Sequence, residues 1–208
     1  MTVDRGRLAR PALLVAPLLL GAVLVSERGG ERVAIRLTEV EAYEGAEDPA
    51  SHAFRGRTAR TAVMFGPAGH LYCYFTYGMH WCANVVCGVD GVAAAVLLRA
   101  GEVVDGRDVA RERRPAARRD VDLARGPARL ATCLALGRDT NGVDLCDPES
   151  NVRLASLPGR RLTGVVAGPR VGITVATEHA WRFWLDGDPT VSAFKPGGRK
   201  RTRSRPAD

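Results

Sequence analysis

Along positions 33–43 apolar residues recur at every second place: Val33, Ile35 and Leu37 share one parity, the mark of a strand with one buried face. The run Val23–Val25 connects to it through Arg28-Gly29-Gly30-Glu31. That predicts a hairpin, because a Gly-Gly pair accepts the left-handed backbone of a two-residue turn. Leu71–Thr76, Trp81–Cys87 and Val92–Ala100 predict three further strands, the first two joined across Tyr77-Gly78-Met79. Residues 11–20 predict a short helix. Gly126-Pro127 opens another, since proline suits a first helical position; Leu130, Cys133 and Leu134 form its apolar face and Gly137 ends it. Thr140-Asn141-Gly142 reads as a turn, and Val165–Ala167, Val171–Val175 and Arg182–Leu185 as later strands. Residues 44–69 are rich in glycine and proline, and residues 105–122 form a charged loop or helix fragment. There is no repeat and no βαβ regularity. The pattern predicts one α+β domain over residues 1–195 with a largely antiparallel sheet, followed by a disordered basic tail over 196–208.

The alternation breaks its own rule at one place. Glu39, Glu41 and Tyr43 continue the parity of Val33, Ile35 and Leu37. Likewise Arg99 follows Ala93, Ala95 and Leu97. A carboxylate on a core-directed face is costly unless it is paired or hydrogen-bonded. Arg99 and one of the two glutamates can satisfy each other. The plain reading is a structural salt bridge. The functional reading is a carboxylate at a pocket floor, kept charged by a guanidinium and able to act as a base.

The aromatic residues sharpen that choice. All four tyrosines, Tyr43, Tyr72, Tyr74 and Tyr77, fall between positions 43 and 77, together with His52. Phenylalanine would fill a core without needing a hydroxyl partner. Tyrosine and histidine beside a carboxylate suit a slot that stacks a flat polar ring. Tyr77 leaves the parity of Tyr72 and Tyr74 and adjoins Gly78, as expected of an aromatic at a hairpin tip. His70, His80 and His179 have no metal-ligand spacing and read as surface or packing histidines. The tryptophans Trp81, Trp181 and Trp184 read as core or core edge.

Composition narrows the options. The 208 residues are 46% hydrophobic and 25% charged, an ordinary globular balance. Of the net charge of +7, the stretch Lys195–Asp208 holds +5, so the body is close to neutral and bulk charge alone does not make it a nucleic-acid binder. Lys195 and Lys200 are the only lysines, so a lysine nucleophile inside the core is excluded. The cysteines Cys73, Cys82, Cys87, Cys133 and Cys146 are odd in number and include no C-x-x-C pair, which disfavours a disulfide framework or zinc ribbon and fits a reducing cytosol. Arg5, Arg7 and Arg10 ahead of Leu13–Val25 mimic a signal peptide, but Pro17 and Gly21 interrupt the run and no A-x-A site follows. A soluble, cytoplasmic protein is expected.

Several motifs, in order, resemble the alkyladenine (3-methylpurine) DNA glycosylase family in its bacterial form: Val40-Glu41-Ala42-Tyr43, Asp48-Pro49-Ala50-Ser51-His52, Met64-Phe65-Gly66-Pro67-Ala68-Gly69-His70-Leu71-Tyr72, Tyr77-Gly78-Met79-His80-Trp81-Cys82-Ala83-Asn84 and Leu97-Leu98-Arg99-Ala100. Leu123-Ala124-Arg125-Gly126-Pro127 and Gly168-Pro169-Arg170-Val171-Gly172 extend the resemblance, which runs from Arg10 to Phe194. It implies a curved sheet with surrounding helices and a protruding β-hairpin. It also implies Glu41 as the general base for the attacking water and Arg99 as the group holding that water and the carboxylate. Tyr43 and His52 would stack on one face of an extruded base and Tyr74 on the other, with the His52 backbone amide reading its edge. Asn84 and Leu97 would line the pocket, Asn84 obstructing the exocyclic amino group of guanine. Tyr77 would wedge into the minor groove with Met79 beside it. The loop Thr58-Ala59-Arg60-Thr61 departs from the family by lacking a proline and an asparagine, and the basic tail lies outside the family pattern.

The resulting expectation is a monofunctional DNA glycosylase that acts as a monomer on duplex DNA containing a damaged purine, without cofactor or metal. Arg55, Arg57 and Arg60, with the Gly126-Pro127 helix start, would meet the DNA backbone, and the tail would add salt-sensitive affinity. The alternative is a non-catalytic DNA-binding protein on the same scaffold. A magnesium nuclease built on Glu39 and Glu41 is a poorer fit, since further carboxylates at compatible spacing are missing.

Overall fold

The computed structural model describes residues 3–158 and 162–198. Its elements run α1 (Ala12–Leu19), β1 (Val23–Arg28), β2 (Glu31–Tyr43), β3 (Leu71–Thr76), β4 (His80–Cys87), β5 (Ala94–Asp105), α2 (Arg107–Arg113), α3 (Pro127–Cys133), β6 (Val152–Ser156), β7 (Val165–Gly168) and β8 (Arg182–Leu185). Every strand pairing is antiparallel, in the order β3-β4-β5-β2-β1-β6. The long β2 pairs with β1 through its first half and with β8 through its second, and β7 closes on β8. The α+β expectation therefore holds. So does the β1–β2 turn, where Gly29 and Gly30 both take positive φ.

The sheet has two unlike faces. Leu71 and Cys73 of β3, Ala83, Val85 and Cys87 of β4, and Val96 and Leu98 of β5 join the large apolar core, together with Val15 and Leu19 of α1 and Leu130 of α3. The alternate residues point the other way. There Tyr72, Val86 and Ala95 pack with Ala53 and Met64 from the loop over residues 44–69 in a second, small cluster.

On β2 the parity is not what simple alternation predicts. Val33, Ile35 and Leu37 belong to the large core, but so do Val40 and Ala42 beyond them. Leu37 faces Gly101, Glu39 faces Ala100 and Val40 faces Leu98, which leaves Thr38 and Arg99 as extra residues on their strands. Two compensating bulges thus invert the pattern between residues 37 and 40. Glu39, Glu41 and Tyr43 lie on the face opposite Val33, Ile35 and Leu37, not beside them, and this corrects the shared parity read from the sequence.

Other expectations shift. Val171–Val175 is not a strand: Gly172 and Ala176 take positive φ, and the backbone N–H groups of Val171 and Gly172 bond the Glu41 carboxylate and the Lys195 carbonyl, not a ladder. Helix α3 opens at Pro127 as expected but ends at Cys133, with Ala135 in place of Gly137 taking the left-handed conformation. β5 runs on to Asp105, and Arg107–Arg113 of the charged stretch is helical. All five cysteines are buried and unpaired. Among the described residues no helix is long and apolar enough to cross a membrane.

The chain after β8 crosses the site face as a strap. Thr190 bonds Thr38 (2.7 Å), the Val191 carbonyl accepts from Arg125 (2.8 Å), and the Lys195 carbonyl accepts from Gly172 N (3.0 Å). Gly197 lies so close against the Ile173 carbonyl that there is no room for a Cβ. Of the stretch read as a disordered tail, residues 199–208 lie outside the described residues.

Candidate active site

The polar face of the sheet opens into a slot of about 350 Å³, toward the small end of pockets that take small ligands. Its walls come from four strands and two loops. Tyr43 projects from the end of β2 and Tyr72, Tyr74 and Thr76 from β3. Cys82 and Asn84 come from β4 and Leu97 and Arg99 from β5. The loops supply Ala50, Ser51, His52 and Met64 on one side and Val171, Gly172 and Ile173 on the other.

Glu41 lies behind this wall with no exposed surface. Its Oε1 accepts from Val171 N at 2.7 Å and lies 3.2 Å from Arg99 Nη1; its Oε2 accepts from the Tyr43 hydroxyl at 3.0 Å. Two of the four or so acceptor positions of an ionised carboxylate are thereby used, and Arg99 adds an ion pair. Each of the three groups that touch it also lines the slot. Burial, and next the Glu41 charge, hold the Tyr43 phenol well above its ordinary value, so it stays a donor.

Tyr43 is itself backed by a stack. The Arg170 guanidinium sits 4.6 Å from the Tyr43 ring centroid and 4.9 Å from that of Trp181, and His179 stacks on Trp181 at 4.3 Å. Arg170 is buried and grips Asp48 with two bonds of 2.5 and 2.8 Å, while also donating to Ala42 O (3.0 Å). Asp48 in turn accepts from Ala50 N (3.0 Å), which fixes the start of the Ala50-Ser51-His52 loop. Asp48, Arg170 and Trp181 had no place in the site as read from the sequence. The motifs containing Asp48 and Arg170 were visible, but nothing in either indicates that they meet across 122 positions.

His52 leans edge-on against Tyr74, with centroids 4.5 Å apart and an interplanar angle of 83°, and its Nδ1 is 3.3 Å from the Tyr72 hydroxyl. Burial, helped by the nearby Arg60 charge, lowers its pKa, so the ring is held neutral. Asn84 is buried, with its amide donating to Tyr72 O (3.1 Å). Arg60 lies over Tyr74 at 5.6 Å, at the slot's edge. Arg55 and Arg57 are exposed and have no carboxylate partner among the described residues. His179 and Trp181 are packing residues as expected, although their stack supports the slot.

At the β3–β4 tip Tyr77 is 84% exposed and Met79 67% exposed. Tyr77 takes φ +52°, a conformation uncommon outside glycine. Exposing an aromatic ring at a strained backbone position contributes nothing to folding.

The strongest charge cluster lies one step deeper. Glu39, also fully buried, accepts at Oε1 from Arg99 Nε (2.7 Å), Arg182 Nε (2.7 Å) and Ser192 Oγ (2.9 Å), and at Oε2 from Ser192 N (2.7 Å). Burial pushes its carboxyl up, but Arg99, the Ser192 amide and Arg182 outweigh this and hold it below the usual carboxylate range. Arg99 thus answers both glutamates, and the sequence had left open which it would meet.

Comparison with known proteins gives the family. The model of the Methylpurine-DNA glycosylase (MPG) family matches residues 7–189. A protein of Streptomyces avermitilis named "Putative 3-methyladenine DNA glycosylase" is 53% identical over 94% of this chain and 93% of its own length. Proteins of the same name from Nocardia farcinica and Burkholderia lata are 55% and 47% identical, over 87% and 88% of this chain and 86% and 87% of their own lengths. The chain belongs to the methylpurine-DNA glycosylase family, and with it to the DNA-repair hydrolases that cleave N-glycosyl bonds in DNA.

Proposed function

We propose that the protein is a monofunctional glycosylase that flips alkylated or deaminated purines of the 3-methyladenine class out of duplex DNA and hydrolyses the N-glycosyl bond. The reading rests on one observation above all: Glu41 is buried, bonded by Val171 N and the Tyr43 hydroxyl and paired with Arg99, directly behind a slot walled by Tyr43, His52 and Tyr74. A base inside a duplex must be extruded before chemistry, at a cost of a few kcal/mol. Stacking on aromatic rings returns about 1–3 kcal/mol. Flat rings also favour cationic purines, which alkylation at N3 or N7 creates, and a neutral His52 adds no repulsion to them. Tyr77, with Met79 beside it, fills the gap the flipped nucleotide leaves. Asn84 and Leu97 bound the slot and reject purines that do not fit.

Glu41 stabilises the positive charge that develops on the sugar as the C1′–N bond lengthens. Water then adds at C1′, its proton passes to Glu41, and an alkylated purine leaves with the bond pair as a neutral base. Arg99, paired with Glu41 at 3.2 Å, helps hold the water. The partner is duplex DNA with a damaged purine, met by a monomer in the bacterial cytoplasm, with Arg55, Arg57 and Arg60 near its backbone.

A non-catalytic binder has no use for a carboxylate whose burial costs this many donors. The magnesium nuclease fares worse, since Arg99 occupies the space between Glu39 and Glu41. Hydrolysis without strand cleavage is supported by a slot lining that holds no lysine among the described residues. Lys195 lies in an adjoining groove that shares Arg99, Pro127 and Val171 with the slot, so borohydride trapping on an abasic duplex is the test of that part; a trapped adduct lost in Lys195→Ala would refute it. The main test is release of 3-methyladenine or hypoxanthine from labelled duplex. Wild type releases the base and Glu41→Gln does not; equal release by both removes Glu41 from the mechanism.

A further inference from the structure

Arg99 projects from a bulge, and an arginine head has a strong preference for gripping a carboxylate through two parallel bonds. Asp48 receives such a grip from Arg170. Glu41 does not receive one from Arg99. The Arg99 Nε is committed to Glu39 at 2.7 Å and its Nη2 donates to Ser192 Oγ at 3.4 Å, so the guanidinium meets Glu41 only as an ion pair, with Nη1 3.2 Å from Oε1. Glu41 Oε2 is then left with only the neutral Tyr43 hydroxyl. Glu39 is in no position to yield, because Arg182 and both donors of Ser192 hold it from the other side. Arg182 also donates to the Ser192 carbonyl (2.8 Å) and lies over Trp184, so the clamp is itself braced.

We propose that Glu39, clamped by Ser192 of the strap and by Arg182, is a positioning residue that holds Arg99 off a two-bond grip on Glu41. The role rests on the reading of Glu41 as the catalytic carboxylate. Glu39 touches neither water nor substrate; it acts through Arg99. Without it the guanidinium turns onto both Glu41 oxygens and covers the lone pair that the water needs. The strap that follows β8 is thereby part of the reaction centre's construction, although Ser192 lies outside the slot lining.

The test uses the full chain and single-turnover release of 3-methyladenine from a methyl-labelled duplex at saturating enzyme. Glu39→Gln is expected to slow release by about 10- to 100-fold, the scale on which small misplacements of reacting groups act. Affinity for a duplex carrying an abasic-site mimic is expected to stay unchanged. In an Arg99→Gln background the same substitution is expected to add nothing, because two residues acting through one contact are not additive. Ser192→Ala removes one bond to Glu39 and the longer one from Arg99 Nη2 (3.4 Å), and is expected to give a smaller loss, restored by Ser192→Thr. Glu39→Gln releasing base at the wild-type rate, or slowing it equally with and without Arg99, overturns the proposal. If Glu39→Gln does not fold, equal rates for Ser192→Ala and Ser192→Thr overturn it. Wild type that releases no base overturns the proposed function itself. Wild type active, Glu41→Gln inactive and Glu39→Gln fully active overturns the clamp alone.

Discussion

The two faces of the sheet use the same strands for opposite purposes. On the helix-covered face, Val40, Ala42, Val96 and Leu98 are sealed among aliphatic side chains, and nothing there needs a specific partner. On the slot face, their immediate neighbours Glu41, Tyr43 and Arg99 are held by a hydrogen bond, an ion pair and a cation–ring stack, and Leu97 lines the slot beside them. The first face supplies the free energy of folding through area. The second spends part of it to keep charged groups out of water and an aromatic slot open. Substitutions should therefore separate cleanly: changes on one face lower stability, changes on the other lower activity or binding.

The largest separation is expected from Glu41→Gln, which should reduce base release by about 10²–10⁴-fold, the range for a lost general base, measured as single-turnover product. Asp48→Ala comes next and tests where the division fails. It strands a buried Arg170 guanidinium, so it should cost about 3–5 kcal/mol in denaturant unfolding, and weaken base binding as well through the loosened Tyr43 and His52. Leu98→Ala, on the helix-covered face, should cost about 2–5 kcal/mol of stability with unchanged affinity for an abasic-mimic duplex in the folded protein. Tyr74→Ala should show the converse, a loss of about 1–3 kcal/mol in binding a flipped base, read by titration. The smallest effect is that of pH. His52 has its folded pKa lowered, so its contribution to stability is complete above about 6.5 and is lost as pH falls toward the folded value. Binding of a cationic purine should weaken over the same range. Glu39 follows the same sign at a lower pH: its contribution is present above about 4.3 and lost as pH falls through its depressed folded value. Binding isotherms below about pH 6.5 and thermal melts continued below about pH 4.3 check the two in turn.

How far this division could be read in the sequence depends on distance along the chain. The β1–β2 turn and the strands over Leu71–Thr76 and Trp81–Cys87 are local matters of alternation and glycine, and they were legible. The misfit of Glu39, Glu41 and Arg99 was legible too, but its cause was not. Two bulges offset each other across a strand pair, and neither Thr38 nor Arg99 announces itself as an extra residue. Val171–Val175 has the composition of a strand, and it failed because its donors are spent on a carboxylate and on the strap. The Asp48–Arg170 grip and the Ser192–Glu39 bonds join residues more than a hundred positions apart. Periodicity does not report such contacts; they exist only once the sheet has brought the segments together.

The bond between Ser192 and Glu39 spans 153 positions. During synthesis the acid on β2 therefore leaves the ribosome long before the hydroxyl and amide that will close over it. A nascent chain interrupted before Ser192 has strands, tyrosines and arginine, yet lacks the final latch on its charged interior. The charged interior of the fold is thus closed only late in translation, once Ser192 has followed Glu39 out of the ribosome.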